Sequence, residues 1–480
     1  MAQLWGVAIA VNYALALLTV THILRRRKDP PAMLAWIFAV LTLPVVGMLL
    51  YLLLGDFRIR RKARRRRRRI AHLIGVFTRQ AERASQAGDE QLRLRLAEDL
   101  AAVEEIGRRL AHMPAIGGNA VRILREANET YESLEEAIAG ARRHVHLLYY
   151  IWQNDATGRH FRDLLCRKAR EGVECRLLLD AVGCWGLRRS FLQPLRDAGV
   201  QVAFFLPLYP LRRRWSLHLR NHRKIAVVDS QVSFLGSQNI GDEYRGRLKR
   251  LSPWYDSHMR IDGPASLFLQ QIFAEDWSFA TQEGLDPDVY FQAPERRGDC
   301  VVQILPTGPD QDVSVLGQLV FAAVSCAHSS IRIETPYFVP DPALLMALQY
   351  ACTRGVRVQI VLPTRSDAPL VLWCGRSFYV QLLEAGVEIY EFDGGVLHSK
   401  TICVDERWCM LSSANMDIRS FRLNFEVSAL IYDAGLAGAL GESIDRHVAA
   451  SRRIALRDAR TAGVARQMAE GAARLFAPLL

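Results

Sequence analysis

The sequence predicts an α/β protein in which two similar halves are related by a pseudo-twofold axis and are preceded by an N-terminal helical segment. Three observations carry this prediction. Two long uncharged stretches open the chain, a strand–helix–strand pattern occurs twice, and a short polar motif recurs at a constant offset of 176 residues. The length of 480 residues allows two or three domains of about 150 residues each.

Residues 1–69 are predicted to form a helical membrane anchor. The segments 4–24 and 33–54 contain no Lys, Arg, Asp or Glu, and at about 1.5 Å per residue each is long enough for the roughly 30 Å hydrocarbon core of a bilayer. Pro44 and Gly47 leave a second possibility, in which segment 33–54 is kinked and re-entrant and only the first segment spans. The basic residues that follow should stay in the cytoplasm, which predicts a multi-pass protein with a cytoplasmic body.

The positive charge of the chain is concentrated beside these apolar segments. The formal net charge is +12, and residues 25–69 alone hold 14 Lys and Arg against Asp29 and Asp56, so the remaining residues are balanced in charge. A cluster of this kind favours contact with an anionic membrane surface. A membrane-tethered nucleic-acid-binding protein is the less favoured alternative, because nucleic-acid binding would require a basic body.

Residues 70–118 are predicted to form an amphipathic helical linker. Apolar residues recur there at three- and four-residue steps, as they do on one face of a helix. These residues are Leu96, Leu100, Val103, Ile106 and Leu110.

The body is predicted to consist of two halves, residues 119–285 and 300–450, followed by a C-terminal tail, residues 451–480. Each half contains an apolar strand pattern, a helix pattern, a glycine and a second apolar strand pattern, within residues 143–179 and 330–362 respectively. This order predicts βαβ units and largely parallel sheets covered by helices.

The recurring polar motif is the part of the sequence that predicts chemistry. Each copy supplies one His, Lys, Asp, Ser and Asn at matching positions. The copies are His222, Lys224, Asp229, Ser237 and Asn239, and His398, Lys400, Asp405, Ser413 and Asn415. Residues two apart on a strand point to the same face, so the His and Lys of each copy are expected to share a face, with the Asn returning on the next strand. Two copies at one offset predict a single site built from both halves.

These copies resemble the paired HKD motifs of the phospholipase D superfamily, and several other segments narrow the resemblance to bacterial cardiolipin synthases of the phospholipase D type. The resemblance covers nearly the whole chain, with one departure at Ser412, where the family usually has Gly. The additional segments are residues 34–36, 44–47, 241–244, 276–277, 335–338 and 415–421.

The resemblance implies a phosphatidyltransferase of the bacterial cytoplasmic (inner) membrane. Such an enzyme joins two phosphatidylglycerol molecules into cardiolipin and releases glycerol. A phospholipase D that uses water or another alcohol as acceptor is the alternative. The resemblance also implies His222 as the nucleophile and His398 as the general acid and base, while the near symmetry of the repeat leaves the reverse assignment open.

The residue types fit this chemistry without a metal or another cofactor. A phosphodiester is a poor electrophile because it is negatively charged, and Lys224 and Lys400 supply fixed cations beside it. The predicted hydrogen-bond donors to the phosphate are Ser237, Asn239, Ser413 and Asn415.

Four carboxylates receive supporting roles. The family's histidine-orienting carboxylates match Asp256 and Glu426, which would fix the tautomers of the two imidazoles. Asp229 and Asp405 are expected to hold the motif loops rather than to touch substrate. No Cys/His cluster with zinc spacing is present among the nine cysteines, and the thiols are expected to be reduced.

Overall fold

The computed structural model describes residues 2–25, 30–54, 98–207, 219–248, 252–292, 295–311, 313–366 and 368–477. The chain divides into two compact units, Met1–Arg65 and Arg66–Leu480.

The described residues of the first unit form three helices, α1 (Ala2–Arg25), α2 (Pro30–Thr42) and α3 (Pro44–Leu54). They enclose a small core of Ala16, Ile23, Val40 and Tyr51. The break between α2 and α3 falls at Leu43, directly before a proline, and proline is favoured at the first position of a helix because its missing N–H would have no partner there.

The prediction of two membrane spans is wrong for the described residues, because none of their helices has both the length and the apolar character needed to cross a membrane. The same finding contradicts the predicted location, a multi-pass protein of the bacterial inner membrane with its body in the cytoplasm. Segment 33–54 is divided into α2, with 13 residues, and α3, with 11, whereas a spanning helix requires roughly 20. The arginine-rich residues 58–69 lie outside the described residues, so their contact with an anionic surface stays a prediction.

Residues 55–97 of the predicted anchor and linker also lie outside the described residues. The linker is described from α4 (Glu98–Ile106), which is followed by a π-helical turn at Gly107–Ala111. Leu100 and Val103 of α4 are buried. The side-chain amide of Gln303 donates to the carbonyls of Glu104 and Met113, both at 2.9 Å, so this end of the linker is fixed to the second half of the body.

The body contains nineteen strands in its described part, and fifteen of them form one sheet. The strands are β1 (Ile116–Leu124), β2 (His144–Tyr149), β3 (Glu174–Asp180), β4 (Gln201–Phe205), β5 (Ile225–Val228), β6 (Val232–Gly236), β7 (Trp254–Tyr255), β8 (His258–Asp262), β9 (Cys300–Thr307), β10 (Ser330–Glu334), β11 (Phe338–Val339), β12 (Arg357–Pro363), β13 (Glu388–Phe392), β14 (Val396–Leu397), β15 (Thr401–Val404), β16 (Trp408–Ser412), β17 (Met416–Asp417), β18 (Glu426–Ile431) and β19 (Ser451–Arg453).

The helices of the body cover this sheet. They are α5 (Ala127–Ala139), α6 (Ala156–Arg170), α7 (Arg189–Asp197), α8 (Ser266–Thr281), α9 (Pro287–Tyr290), α10 (Val315–Cys326), α11 (Pro342–Thr353), α12 (Pro369–Arg376), α13 (Tyr379–Glu384), α14 (Ile418–Arg422), α15 (Ala434–Ala449), α16 (Leu456–Arg460) and α17 (Val464–Arg474).

The strand order confirms the predicted α/β repeat. The first half has the order β1-β8-β6-β5-β2-β3-β4, and the second half repeats it as β9-β18-β16-β15-β10-β12-β13. The halves join through the antiparallel pairing of β1 with β9. Every residue of β2 is buried, as expected for a strand covered by helices on both faces.

The sheet is mixed, so the expectation of largely parallel sheets is wrong for part of each half. Strands β2, β3 and β4 are parallel, as are β10, β12 and β13, and the remaining pairs are antiparallel. The reason lies in two tight turns, Asp229-Ser230 and Asp405-Glu406, in which all four residues have φ between 53° and 58°. Two successive residues with positive φ form the type I′ turn of a β-hairpin, and a hairpin makes its strands antiparallel.

Candidate active site

The two motif copies meet where the halves of the body face each other. His222 and Lys224 lie directly before β5, and His398 and Lys400 lie between β14 and β15. The motif residues therefore precede the strands that were expected to contain them. The backbone N–H of His222 donates to the carbonyl of Phe425 at 2.9 Å, in the second half.

The second motif makes the reciprocal connection. Strand β14 pairs with β7 of the first half, and the N–H of His398 donates to the carbonyl of Tyr255 at 2.8 Å. Glu426 directly follows Phe425, and Asp256 directly follows Tyr255. Each histidine is thus tied to the segment of the opposite half that carries a carboxylate.

The carboxylates contact the histidines across the two halves. His222 Nδ1 lies 3.0 Å from Glu426 Oε2, and His398 Nδ1 lies 3.1 Å from both carboxylate oxygens of Asp256. His222 Nδ1 is also 3.0 Å from the carbonyl oxygen of Ser413. A carbonyl only accepts hydrogen bonds, so Nδ1 of His222 carries the proton and Nε2 keeps its lone pair.

Ser237 and Ser413 hold these carboxylates. Ser413 Oγ donates to Glu426 Oε2 at 2.5 Å, and Ser237 Oγ donates to Asp256 Oδ1. Both serines are fully buried. These hydroxyls were predicted to donate to the substrate phosphate, whereas in the structure each donates its hydrogen to a carboxylate.

Two further donors to the carboxylates were missed by the sequence analysis. Asn424 Nδ2 donates to Glu426 Oε1 at 3.1 Å, and Trp254 Nε1 donates to Asp256 Oδ2 at 2.9 Å. Each lies two residues before the carboxylate that it contacts. That spacing places both side chains on one face of an extended segment and is the signal that could have identified them.

The motif lysines are fully buried beside the histidines. Lys224 Nζ donates to the carbonyl of His222 at 2.6 Å, and Lys400 Nζ donates to the carbonyl of His398 at 2.7 Å. Lys400 Nζ also lies 3.1 Å from His398 Nε2. Burial lowers the pKa of Lys224 to about 7, although the nearby carboxylate of Glu426 opposes the shift.

Burial also keeps both imidazoles neutral before substrate binds. It lowers the pKa of His222 to about 4, against the opposing charge of Glu426, and it lowers the pKa of His398, with Lys400 adding to the effect. Burial alone would raise the pKa of Asp256, but His398 and Lys400 outweigh it and hold the pKa below its usual range. The site therefore presents a neutral imidazole next to an ionised carboxylate.

The motif asparagines Asn239 and Asn415 line one cavity together with His222 and His398. The cavity has a volume of about 950 Å³ and is walled by residues of both halves. Asn239 Oδ1 accepts from the N–H of Ile151 at 3.1 Å, which fixes its amide. The side-chain oxygen of Asn415 has no hydrogen-bond partner among the described residues.

Aromatic side chains pack on each histidine. The ring centroid of Tyr150 lies 4.8 Å from that of His222, and the ring centroid of Trp254 lies 5.3 Å from that of His398. Tyr150 also faces the ammonium of Lys224 at 5.2 Å. These rings occupy space that water would otherwise fill, which strengthens the electrostatic interactions within the site.

Asp229 and Asp405 lie outside this cavity, in the hairpin turns that follow β5 and β15. The carboxylate of Asp229 accepts hydrogen bonds from the three backbone N–H groups of residues 142–144, each at 2.8 Å. Asp405 does the same with residues 328–330, at 2.7 to 2.9 Å. These contacts attach each motif hairpin to the start of the neighbouring antiparallel strand, β2 or β10.

In the part of the chain that the structure describes, no group of three or more His, Cys, Asp or Glu side chains is arranged to hold a metal ion. All nine cysteines are free thiols. Lys224 and Lys400 supply positive charge beside the histidines.

Comparisons with known proteins agree with this architecture. A family model described as "Cardiolipin synthase, PLD-like domain" matches residues 134–263 and 320–448, and one described as "Phospholipase_D-nuclease N-terminal" matches residues 14–55. The crystal structure of the phosphatidylserine synthase of Haemophilus influenzae Rd KW20 matches 79% of this chain and all of that chain, with a TM-score of 0.59 and 17% identity. At that identity the likeness shows the shared fold alone.

Curated relatives match over most of their length. The cardiolipin synthase of Alkalihalophilus pseudofirmus is 35% identical over 100% of this chain and 95% of the relative. The cardiolipin synthase of Geobacillus kaustophilus is 38% identical over 84% and 80%, and the major cardiolipin synthase of Bacillus subtilis is 34% identical over 97% of both chains. With the paired motifs on a duplicated α/β fold, these matches show that the chain belongs to the cardiolipin synthase family of the phospholipase D superfamily.

Proposed function

We propose that the protein is a phosphatidyltransferase that joins two phosphatidylglycerol molecules into cardiolipin and releases glycerol. The observation that supports it most directly is the crossed arrangement of the two histidines, each hydrogen-bonded through Nδ1 to a carboxylate of the opposite half. This leaves two Nε2 atoms for one phosphorus, as a double displacement requires. The cardiolipin synthases among its relatives supply the substrate class.

In the first step, Nε2 of His222 attacks the phosphorus of the donor lipid. A P–N bond forms, the bond from phosphorus to the glycerol oxygen breaks, and His398 gives its proton to the departing oxygen. His398 must be protonated for this step although burial lowers its pKa. The negative charge of the bound phosphate, added to that of Asp256, favours the imidazolium and supplies the condition for protonation.

In the second step, a hydroxyl of the second phosphatidylglycerol attacks the phosphohistidine. His398 accepts the hydroxyl proton, the P–N bond breaks and cardiolipin is released. His398 is thereby returned to the protonated state of the first step. Water would compete as the acceptor, so the histidines must be shielded from bulk solvent, and the two imidazole side chains are only 13% and 15% exposed.

The other motif residues act on the phosphate and on the histidines. Lys224 and Lys400 offset the charge that develops on the phosphoryl oxygens, and Asn239 and Asn415 donate hydrogen bonds from the cavity wall. Asp229 and Asp405 hold the hairpins in place. We assign Ser237 and Ser413 to the carboxylates that they contact, Asp256 and Glu426, which orient the imidazoles.

The overall reaction is tested with purified protein and phosphatidylglycerol as the only lipid. One phosphodiester replaces another, so the equilibrium constant should be near unity, cardiolipin and glycerol should form without a nucleotide, and excess glycerol should reverse the reaction. Phosphatidic acid as the main product at all lipid concentrations would instead support the hydrolase alternative. A requirement for a cytidine-diphosphate lipid would contradict the exchange mechanism.

The histidine roles are tested with a phosphatidyl ester of p-nitrophenol, a leaving group that needs no proton. With this donor His398→Asn should release one nitrophenolate per enzyme molecule and keep the phosphatidyl group on His222, whereas His222→Asn should show no burst. A burst in the His222 variant alone would reverse the roles. His160→Asn, at an exposed histidine on α6, is the control and should keep normal turnover.

A further inference from the structure

The two halves of the body contribute matching catalytic motifs to the cavity, but some of their other cavity-lining residues differ in charge. At the motif offset of 176 residues, Arg220 of the first half corresponds to Val396 of the second, and Arg419 of the second half corresponds to Glu243 of the first. All four side chains line the cavity. The two copies of the repeat therefore differ at two positions that line the cavity. At each of these positions one half has an arginine and the other half has a neutral or acidic residue.

Arg220 is directed to the same side of its segment as the catalytic residues. Asn221 and Arg223 turn to the opposite side, where their side chains donate to Asp276 at 2.8 and 2.7 Å. Arg220 and His222 are two residues apart and alternate with Asn221 and Arg223. In an extended segment, residues two apart lie on the same face at intervals of about 7 Å. The side chain of Arg220 lines the same cavity as His222, its guanidinium donates one hydrogen bond to the carbonyl of Leu219 at 2.8 Å, and only 5% of the residue is exposed.

Arg419 is brought to the same place by the second half. Its carbonyl, in α14, accepts from the N–H of Asn424 at 3.0 Å, and the N–H of the next residue, Phe425, donates to the carbonyl of Arg220 at 2.8 Å. Burial lowers the pKa of Arg220, Asp180 opposes that shift, and Arg419 adds to it. Two guanidinium groups are thus held within electrostatic range of each other on one wall of the cavity.

We propose that Arg220 and Arg419 form a second phosphate subsite, which binds the unreacted phosphate of the acceptor lipid. This inference rests on the proposed function. Cardiolipin contains two phosphates joined through one glycerol, so the acceptor brings a second negative charge into the cavity when its hydroxyl reaches the phosphohistidine. Guanidinium groups bind phosphate oxygens with paired hydrogen bonds. On the opposite wall, Glu243 repels a phosphate and Val396 offers it no donor.

This subsite would select the acceptor. An alcohol without a phosphate, or water, reaches the same intermediate but gains nothing from the two arginines. A phosphatidylglycerol acceptor gains charge-assisted hydrogen bonds that hold its glycerol near His398. The arginines would thereby favour cardiolipin over hydrolysis at a centre whose catalytic groups alone do not distinguish the acceptors.

The test measures how one intermediate divides between two acceptors. Wild-type protein and Arg419→Gln receive phosphatidylglycerol in mixed micelles with ethanol, and the ratio of cardiolipin to phosphatidylethanol is determined. Both products arise from the same phosphohistidine, so the ratio reports acceptor binding alone. We expect the ratio to fall 10- to 100-fold, which corresponds to about 1.4 to 2.8 kcal/mol. Arg220→Lys, which keeps the charge at a buried position, should lower the ratio less.

Arg365→Gln is the matched control, since Arg365 also lines the cavity but its side chain is 85% exposed. Its ratio should stay within twofold of wild type. An unchanged ratio in Arg419→Gln, with both products reduced together, would overturn the inference and place the arginines on the reacting phosphate. An equal fall in Arg365→Gln would overturn it as well, because any positive charge would then suffice. If wild-type protein makes phosphatidylethanol but no cardiolipin, the proposed function fails rather than the subsite alone.

Discussion

The charge on Lys224 should steepen the fall of activity at alkaline pH. Its side chain is fully buried, its ammonium donates to the carbonyl of His222 at 2.6 Å, and the ring of Tyr150 lies 5.2 Å away. Burial lowers its pKa from 10.5 to about 7, with Lys400 adding to the shift and Glu426 opposing it. A shift of this size corresponds to roughly 5 kcal/mol against the charged form.

The pH dependence of kcat/KM reports ionisations of the free enzyme, and only the ammonium form of Lys224 stabilises the phosphoryl oxygens. The general acid His398 must be protonated as well, and burial lowers its pKa, so we expect kcat/KM to fall about tenfold per pH unit as the pH approaches 7 and about a hundredfold per unit above it, once Lys224 also loses its proton. Because the pKa of His222 is about 4, deprotonation of the nucleophile should not limit the rate above about pH 5. The assay is the initial rate of cardiolipin formation at low phosphatidylglycerol between pH 5 and 9.

Replacement by arginine separates charge from position. Arg keeps its proton throughout this pH range, so Lys224→Arg should keep only the roughly tenfold fall per pH unit that His398 causes, even if its maximal rate is reduced by the change in shape. Lys168→Arg, on α6 and outside the cavity, should keep the wild-type profile. A wild-type profile that falls no more steeply than about tenfold per pH unit between pH 7 and 9, or a Lys224→Arg profile as steep as that of wild type, would refute the assignment.

Three further outcomes are expected. Lys224→Met should abolish activity but raise the melting temperature at pH 6 and not at pH 10. The lowered pKa means that the buried ammonium destabilises the folded state, and this destabilisation is fully present below about pH 7 and disappears toward pH 10.5. A melting temperature equal to that of wild type at pH 6 would contradict this. Asp256→Asn and Glu426→Gln should each lower kcat about 10- to 100-fold, from the loss of one hydrogen bond to an ionised group at about 1.5–3 kcal/mol; single-turnover rates within threefold of wild type would exclude an orienting role. Asp229→Asn should reduce the free energy of unfolding by about 1–3 kcal/mol in urea titration while each folded molecule keeps its turnover, and a loss of turnover without loss of stability would instead place Asp229 in the chemistry.

The duplicated fold could be predicted because each half repeats the same local patterns. The antiparallel strands could not, because the turns that create them contain Asp229-Ser230 and Asp405-Glu406 rather than the Asn-Gly or Asp-Gly pairs that signal a two-residue hairpin. The predicted spans failed for a related reason. Hydropathy counts apolar residues, but Pro44 begins a new helix within the second segment.

The candidate site residues could be named from the sequence, since His, Lys and Asn recur at one offset and the resemblance implied Asp256 and Glu426 as orienting carboxylates, but the sequence did not say which histidine each carboxylate contacts. His222 and Glu426 are 204 residues apart, and His398 and Asp256 are 142 apart. No local pattern specifies that each histidine takes its carboxylate from the opposite half. Sequence likewise identified Ser237 and Ser413 as hydrogen-bond donors, whereas the choice between carboxylate and phosphate as acceptor depends on the folded geometry.

The crossed contacts give the proposed reaction a physical reason to need both halves at one phosphorus. A half by itself would have a histidine without its carboxylate and a carboxylate without its histidine. The two matching pairs of histidine and carboxylate also suit a reaction whose two steps are alike. Each step exchanges one substituent on phosphorus for another and needs the same groups in reverse order. These pairs do not make the enzyme prefer one acceptor over another. That preference must come from positions at which the halves diverge, and two such positions line the cavity: Arg220, which corresponds to Val396, and Arg419, which corresponds to Glu243.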